Sequence, residues 1–293
     1  MNHQKGQRAV QVTFVLTLAF CVFEFLGAKL SHSLSLLADA GHMLTDLSAL
    51  ALTLFAGWMT QRRSTQRMSY GFYRFEILAA LINGTALVTI AIFIVKEALL
   101  RFQTGGPLIQ SHLMLVVAFI GLLVNLLCAF LLQPFSKENL NLQGAFFHII
   151  ADTLSSIGTL IAGLALAIWN WRYADPLAAC AVALLIIISA WRLLKDVVEI
   201  LLEAAPAHIN VDDLEKRILS IPGICAIHDL HVWSISRGKE ALSAHLEVIK
   251  DSDAPGILIL VNQLLEREFQ ISHTTLQIEN PGTPARDCKN FHD

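Results

Sequence analysis

Residues 36–58 read Leu-Leu-Ala-Asp39-Ala-Gly-His42-Met-Leu-Thr-Asp46-Leu-Ser-Ala-Leu-Ala-Leu-Thr-Leu-Phe-Ala-Gly-Trp58. The run is apolar but for three ionisable residues, and a helix of about 20 residues crosses the ~30 Å hydrocarbon core of a bilayer. An Asp at the centre of such a helix costs about 2.5–3.5 kcal/mol on insertion scales, so ionisable groups there mark a functional site. His42 and Asp46 are four apart and lie on one helix face, one turn from each other. The same pattern returns within a second apolar run, as Phe147-His148-Ile-Ile-Ala-Asp152. Two costly pairs with the same spacing and order need a common reason, and a cluster of two imidazoles and two carboxylates between two helices supplies one.

The rest of the chain fits that setting. Its 293 residues are 55% hydrophobic and only 15% charged, with a mean hydropathy of +0.57, whereas soluble domains carry roughly 25% charged residues. A net charge of -3 gives no support for nucleic-acid binding. Of the five cysteines, Cys21, Cys128 and Cys180 sit inside apolar runs as small hydrophobes, not as a disulfide framework. Six runs qualify as spans: 11–30, 36–58, 76–100, 112–132, 143–169 and 176–194. Asp175 is placed to cap the last, with Pro176 in its first turn. With the N-terminus in the cytoplasm, nine basic residues (Lys5, Arg8, Arg62, Arg63, Arg67, Arg74, Lys137, Arg192 and Lys195) fall inside and four (Lys29, Lys96, Arg101 and Arg172) outside. That is the positive-inside bias, and six crossings return the C-terminus to the cytoplasm.

After residue 203 the character changes. Val211–Ile221 reads as an amphipathic helix, Ala226–Ser236 and Ala241–Ile249 as strands joined by a turn at Arg237-Gly238-Lys239, Pro255–Phe269 as a helix and Thr274–Glu279 as a strand. This αββαβ order makes an open-faced sandwich with helices on one side of a sheet. The expected organisation is a transmembrane domain over 1–203 and a cytoplasmic α+β domain over 204–293, with Pro281–Asp293 as a loose terminus.

Two neutral His and two ionised Asp carry a charge of -2, which a divalent cation cancels. Two nitrogens and two oxygens in a tetrahedron suit Zn²⁺; Mg²⁺ wants octahedral oxygen and Cu(I) wants sulfur, while Cd²⁺ and Co²⁺ fit with less advantage. When the metal leaves, carboxylates stranded in a low dielectric are relieved by protonation. Metal and protons then compete for one site, and ligands on two helices allow that site to open to either face, the outline of a metal/proton antiporter. A haem protein, with Asp one turn from each axial His, and a metallohydrolase, with Met43 and Ile149 where a Glu base belongs, fit the residues less well. A passive channel is a further alternative.

Other buried polar residues read as structural. Asp39 is a hydrogen-bond anchor or cap rather than a fifth ligand. Glu24 is placed to pair with Lys29 or Lys96, and Glu76 with Arg74. Asn83 and Asn125 act as interhelical glue, and Gly144, Gly158, Ala162 and Gly163 permit close packing of the fifth span. In the tail Trp233 reads as a packing residue. The tail is rich in histidine: His208, His228, His231, His245 and His273, with Glu279 nearby. His228 and His231 share a strand and, three apart, point to opposite faces. Cys288 and His292 are further donors in the terminus.

Over about residues 8–280 the sequence resembles the cation diffusion facilitator family, in particular its bacterial zinc exporters. The matching residues are Ser35-Leu-Leu-Ala-Asp39-Ala-Gly-His42-Met-Leu-Thr-Asp46, Phe147-His148-Ile-Ile-Ala-Asp152, Ala174-Asp175-Pro176, Trp191-Arg-Leu-Leu-Lys195, and His231-Val232-Trp233. The resemblance implies a six-helix transporter of the inner membrane with a ferredoxin-like cytoplasmic domain. It also implies a homodimer that exchanges cytosolic Zn²⁺ for protons through His42, Asp46, His148 and Asp152. The family's cytoplasmic zinc ligands match His228, His245 and Glu279, with Gln277 where a further His is usual and His231 as a compensating donor; zinc there would be regulatory. The chain departs from the pattern in two loops. Met68 and Phe72 stand where a loop metal site has His, and only Ser136–Leu142 joins spans four and five, so neither that site nor a His-rich loop is expected.

Overall fold

The computed structural model describes residues 2–135, 140–236, 238–249 and 252–280; within its helices the side chains of residues 2–11, 53, 135, 140–145, 147 and 148 lie outside the description. Among the described residues six helices are long and apolar enough to cross a membrane: α1 (Asn2–Ser31), α2 (Leu34–Thr60), α3 (Arg74–Thr104), α4 (Ser111–Leu132), α5 (Leu140–Trp169) and α6 (Ala174–Leu201). The tail follows as α7 (Val211–Leu219), β1 (Ile224–Ser236), β2 (Lys239–Val248), α8 (Ala254–Phe269) and β3 (His273–Glu279). The architecture is the expected helical membrane protein with a small α+β domain. Compact packing divides the chain into one unit of residues 1–53 and 81–194 and a second of residues 54–80 and 195–293.

In the first unit, small residues bring the helices close. Leu34 and Ala38 of α2, Ala91 and Ala98 of α3, and Ala179, Ala183 and Ala190 of α6 form one buried seam. Without water to drive association, such close backbone approach supplies the packing contacts that hold membrane helices together. A second seam joins Met114, Val117 and Ala118 of α4 to Ala28 of α1 and to Ala162 and Ala165 of α5. Gly163 is part of this contact: a Cβ there would lie 2.9 Å from Leu115 Cδ2, whereas Gly158 faces open space. The expectation of close packing therefore holds at Gly163 and fails at Gly158, and Gly144 lies outside the described side chains. Asn125 donates to Ser156 Oγ at 3.2 Å, bridging α4 and α5.

Three polar expectations are corrected. Asp175 does not cap its own helix. It is wholly buried, and its carboxylate accepts from the backbone N–H groups of Leu34 and Ser35, at the start of α2. Glu24 is buried near the Asp39 carboxyl; Lys29 instead lies over the Phe25 ring, 5.7 Å from its centroid, and Lys96 is exposed. Arg74 pairs with Glu203 at 2.9 Å rather than with Glu76, both side chains being largely exposed.

In the second unit the tail forms a three-stranded sheet in the order β1-β2-β3. β1 and β2 are an antiparallel hairpin, and β3 runs parallel to β2, a reversal that requires α8 as the crossover. Asn210 and Asp253 accept from the backbone N–H groups of Asp213 and Gly256 and so cap α7 and α8. Leu214 and Ile218 of α7 and Val261 and Leu265 of α8 pack on Val232, Leu242, Ala244 and Leu246, covering one face. Alternate residues of β2 and β3, including Ser243, His245, Gln277 and Glu279, therefore project from the other face. Trp233, adjacent to core-facing Val232, belongs to that second face, where it is half-buried opposite the buried Ala241.

Candidate metal sites

The transmembrane motifs are brought together by α2 and α5. His42 Nε2 lies 3.5 Å from Asp46 Oδ2 on its own helix and 3.9 Å from Asp152 Oδ1 on α5. These separations are long for hydrogen bonds. They are close to the edge of a tetrahedron of ligands about Zn²⁺, which is about 3.3 Å for bonds of 2.0–2.1 Å. The side chains are only partly covered, 22% exposed at His42 and 32% at Asp46 against 10% at Asp152.

One turn away, the Ser155 hydroxyl donates to Asp39 Oδ1 at 2.8 Å. Asp39 is buried and thus serves as the interhelical anchor expected of it. The contacts 39 with 155 and 42 with 152 define an antiparallel register between α2 and α5. Continued by one turn, that register carries backbone position 148 opposite position 46. The His148 side chain itself lies outside the described residues. Thr45 donates to the His42 carbonyl at 2.6 Å, and Thr153 to the Ile149 carbonyl at 2.7 Å, so hydroxyls beside the site return to their own helix backbone. Ser155 was missed by sequence reading. Its only signal was its position three residues after Asp152, mirroring Asp39 three before His42.

In the tail, His228, His245 and Glu279 each offer a ligand atom, all within 4.8 Å of one another. His228 Nε2 stands 3.2 Å from Glu279 Oε2 and His245 Nδ1 3.0 Å from Glu279 Oε1. Two imidazole nitrogens and a carboxylate are a donor set that fits Zn²⁺ with one position left over. Desolvation works against the Glu279 carboxylate, but hydrogen bonds from Gln277 and His228 and the fields of His245 and His228 hold it below its ordinary range. Gln277 donates to Glu279 Oε1 at 2.7 Å and orients the carboxylate.

His231 falls outside this group. Its Nε2 lies 3.0 Å from Asp229 Oδ1, and the other oxygen of Asp229 stands 3.8 Å from His245 Nε2. The expectation of opposite faces for His228 and His231 is corrected by a bulge. His228 is opposite His245 and His231 opposite Ser243, so β1 spends three residues where β2 spends two. Asp229 absorbs the extra residue with a left-handed backbone, φ 52°. The bulge turns His231 to the same face as His228, toward Asp229. A carboxyl between two His was the overlooked signal. His208 sits 3.9 Å from Glu240 and His273 against the Tyr70 ring, both away from the triad. Cys288 and His292 lie outside the described residues.

Residues 10–202 match the family described as the cation efflux transmembrane domain, and residues 206–281 that described as the cation efflux protein cytoplasmic domain. The chain is 39% identical over 285 residues, 95% of its length and 91% of the relative's, to a Bacillus subtilis protein named cadmium, cobalt and zinc/H(+)-K(+) antiporter. It is 40% identical over 290 residues, 98% of its length and 92% of the relative's, to the Escherichia coli zinc transporter ZitB. To the Cupriavidus metallidurans metal cation efflux system protein CzcD it is 36% identical over 282 residues, 95% and 88% of the two chains.

Proposed function

Because the chain belongs to the cation efflux family of membrane transporters, the cation diffusion facilitators, we propose that it expels Zn²⁺ from the cytoplasm in exchange for protons. It is a multi-pass membrane transporter and not an enzyme. The transport site in this reading is His42, Asp46, His148 and Asp152, held between α2 and α5. The observation that carries it is His42 Nε2 standing 3.5 and 3.9 Å from carboxylates of two different helices, a spacing that one tetrahedral cation spans. Two Asp⁻ and two neutral His balance the cation, and protons replace it when it departs. Cd²⁺ and Co²⁺, which the names of the Bacillus relative include, are secondary substrates.

Both termini are assigned to the cytoplasm from the distribution of Lys and Arg. The transport domain spans residues 1–203, and residues 204–293 form the cytoplasmic domain of a homodimer. There His228, His245 and Glu279 take up cytosolic Zn²⁺ as a regulatory ion and bias the dimer toward transport. The test is Zn²⁺-dependent proton flux in proteoliposomes for the intact protein, Asp46→Ala and Asp152→Ala. Both variants should lose exchange. Retained exchange in both refutes the site, and zinc flux indifferent to the proton gradient would mark a passive channel.

A further inference from the structure

The first turn of any helix leaves backbone N–H groups without partners, and in α2 a carboxylate from another helix meets them. Asp175, on α6, has no exposed surface. Its Oδ2 accepts from Leu34 N at 2.8 Å, and its Oδ1 accepts from Ser35 N at 3.0 Å and from the hydroxyls of Ser33 and Ser35 at 2.6 and 2.7 Å. Arg101, on α3, donates through Nη1 to Asp175 Oδ2 at 3.4 Å and to the His32 carbonyl at 2.8 Å. Its Nε donates to Glu97 at 3.2 Å. His32 itself takes a left-handed backbone, φ 58°, at the bend into α2. A negative group at a helix N-terminus is favoured by the helix dipole, and here the same group binds three helices at one point.

We infer that Asp175 is a positioning residue for transport: as a cap supplied in trans, it pins the outer end of the helix that carries His42 and Asp46. The inference rests on the transport-site reading above. At 1.5 Å rise per residue, His42 lies about 12 Å and Asp46 about 18 Å along α2 from Leu34. A tilt of about 5° at the pin therefore moves these ligands by about 1 to 1.5 Å, while metal sites tolerate displacements of about 0.2 Å. The seam of Leu34 and Ala38 with α3 and α6 resists sliding less specifically than a carboxylate with five donors. Asn in place of Asp175 is nearly isosteric but sets an amide N–H₂ against either Leu34 N–H and Arg101 or the Ser33 and Ser35 donors. One side of the network is thus turned from attraction to repulsion.

The full-length protein in liposomes tests this with two readouts, amide hydrogen exchange over residues 32–38 and the KM and kcat of Zn²⁺ transport. In Asp175→Asn, exchange at Leu34 and Ser35 should quicken by about 10- to 100-fold, the expected effect of losing hydrogen bonds to a charged group. KM should rise by about 10-fold or more, as when groups supporting a metal site are lost. A role in folding alone would lower the active fraction, and hence kcat, at unchanged KM. Unchanged exchange overturns the cap, and faster exchange with unchanged KM overturns the positioning role. Should Asp175→Asn not fold, Ser33→Ala with Ser35→Ala keeps the carboxylate and its backbone donors and removes two hydroxyls. A rise in KM of about threefold with faster exchange is then expected, and no change in either overturns the inference. Asp152→Ala, run alongside, separates the two failures: wild-type transport in that variant sinks the transport-site reading, and this inference with it, whatever the exchange shows.

Discussion

Ser155→Ala removes a single oxygen and bears directly on how α2 and α5 are held together. The Ser155 hydroxyl gives Asp39 a 2.8 Å hydrogen bond across the two helices, on the rung adjoining the His42–Asp152 approach of 3.9 Å. Asp39 is only 2% exposed, so water does not replace the lost donor. A hydrogen bond contributes about 0.5–1.5 kcal/mol between neutral groups and about 1.5–3 kcal/mol when one is charged. If the bond holds the helices in register for the metal, that loss appears in the affinity, and 1.4 kcal/mol is a factor of about ten. The transport KM for Zn²⁺ should then rise by roughly 3- to 100-fold, with kcat less affected. Ser155→Thr, which keeps the hydroxyl, should recover most of the affinity. The assay is initial-rate zinc uptake into inverted vesicles over a range of zinc concentrations, with protein quantified in the same vesicles. A Ser155→Ala variant with wild-type KM, whether or not its thermal stability falls, would refute the argument that this rung sets the spacing of the ligands.

His42→Asp replaces a borderline nitrogen donor by a hard oxygen and should loosen discrimination against Mn²⁺ in competition transport; an unchanged metal preference removes His42 from the site. Gly163→Val should destabilise the protein by about 1–3 kcal/mol through collision with Leu115. Gly158→Ala, facing open space, should leave thermal unfolding in detergent unchanged or raise it, and equal effects at the two positions would contradict the packing described. In the tail, His245→Ala should abolish zinc binding measured by calorimetry while His231→Ala retains it, since only the former belongs to the triad. Glu279 carries its own pH signature. A carboxylate held below its ordinary range stabilises the fold above its unfolded value, about pH 4.3, and this is lost as pH falls through the folded value. With chelator present, Glu279→Gln should therefore reduce hydrogen-exchange protection of β3 at pH 6, and the difference from wild type should shrink below pH 4; a difference constant with pH would oppose it.

The helices were legible because a bilayer imposes a simple rule on a long segment. Apolar runs of the required length, broken at Ser31-His32-Ser33, Gly105-Gly106-Pro107 and Asp175-Pro176, can be little else, and each became a helix. The αββαβ tail was legible through alternation and turn residues. Its bulge was not, because an extra residue in β1 depends on the register against β2, and nothing in Ile227-His228-Asp229-Leu230-His231 announces that Asp229 will take a left-handed backbone. Asp175 was misassigned for a related reason. Beside Pro176 it has the appearance of a cap for its own helix, and only the packing of α2 against α6 offers it stronger donors.

The arrangement of the proposed transmembrane ligands follows from one geometric fact that the motifs already contained. Two helices carrying His-x-x-x-Asp in the same chain direction, if packed parallel, would set His against His and Asp against Asp, placing two anions side by side. Packed antiparallel they set each His opposite the other helix's Asp, and this is what His42 and Asp152 do. Adjacent spans must reverse direction across a bilayer, so a motif on the second helix and another on the fifth are necessarily antiparallel when they meet. The anchor of Asp39 to Ser155 obeys the same register. The order of residues within each motif and the even number of crossings between the two spans, α3 and α4, are thus one constraint, which separates the carboxylates while keeping both near His42.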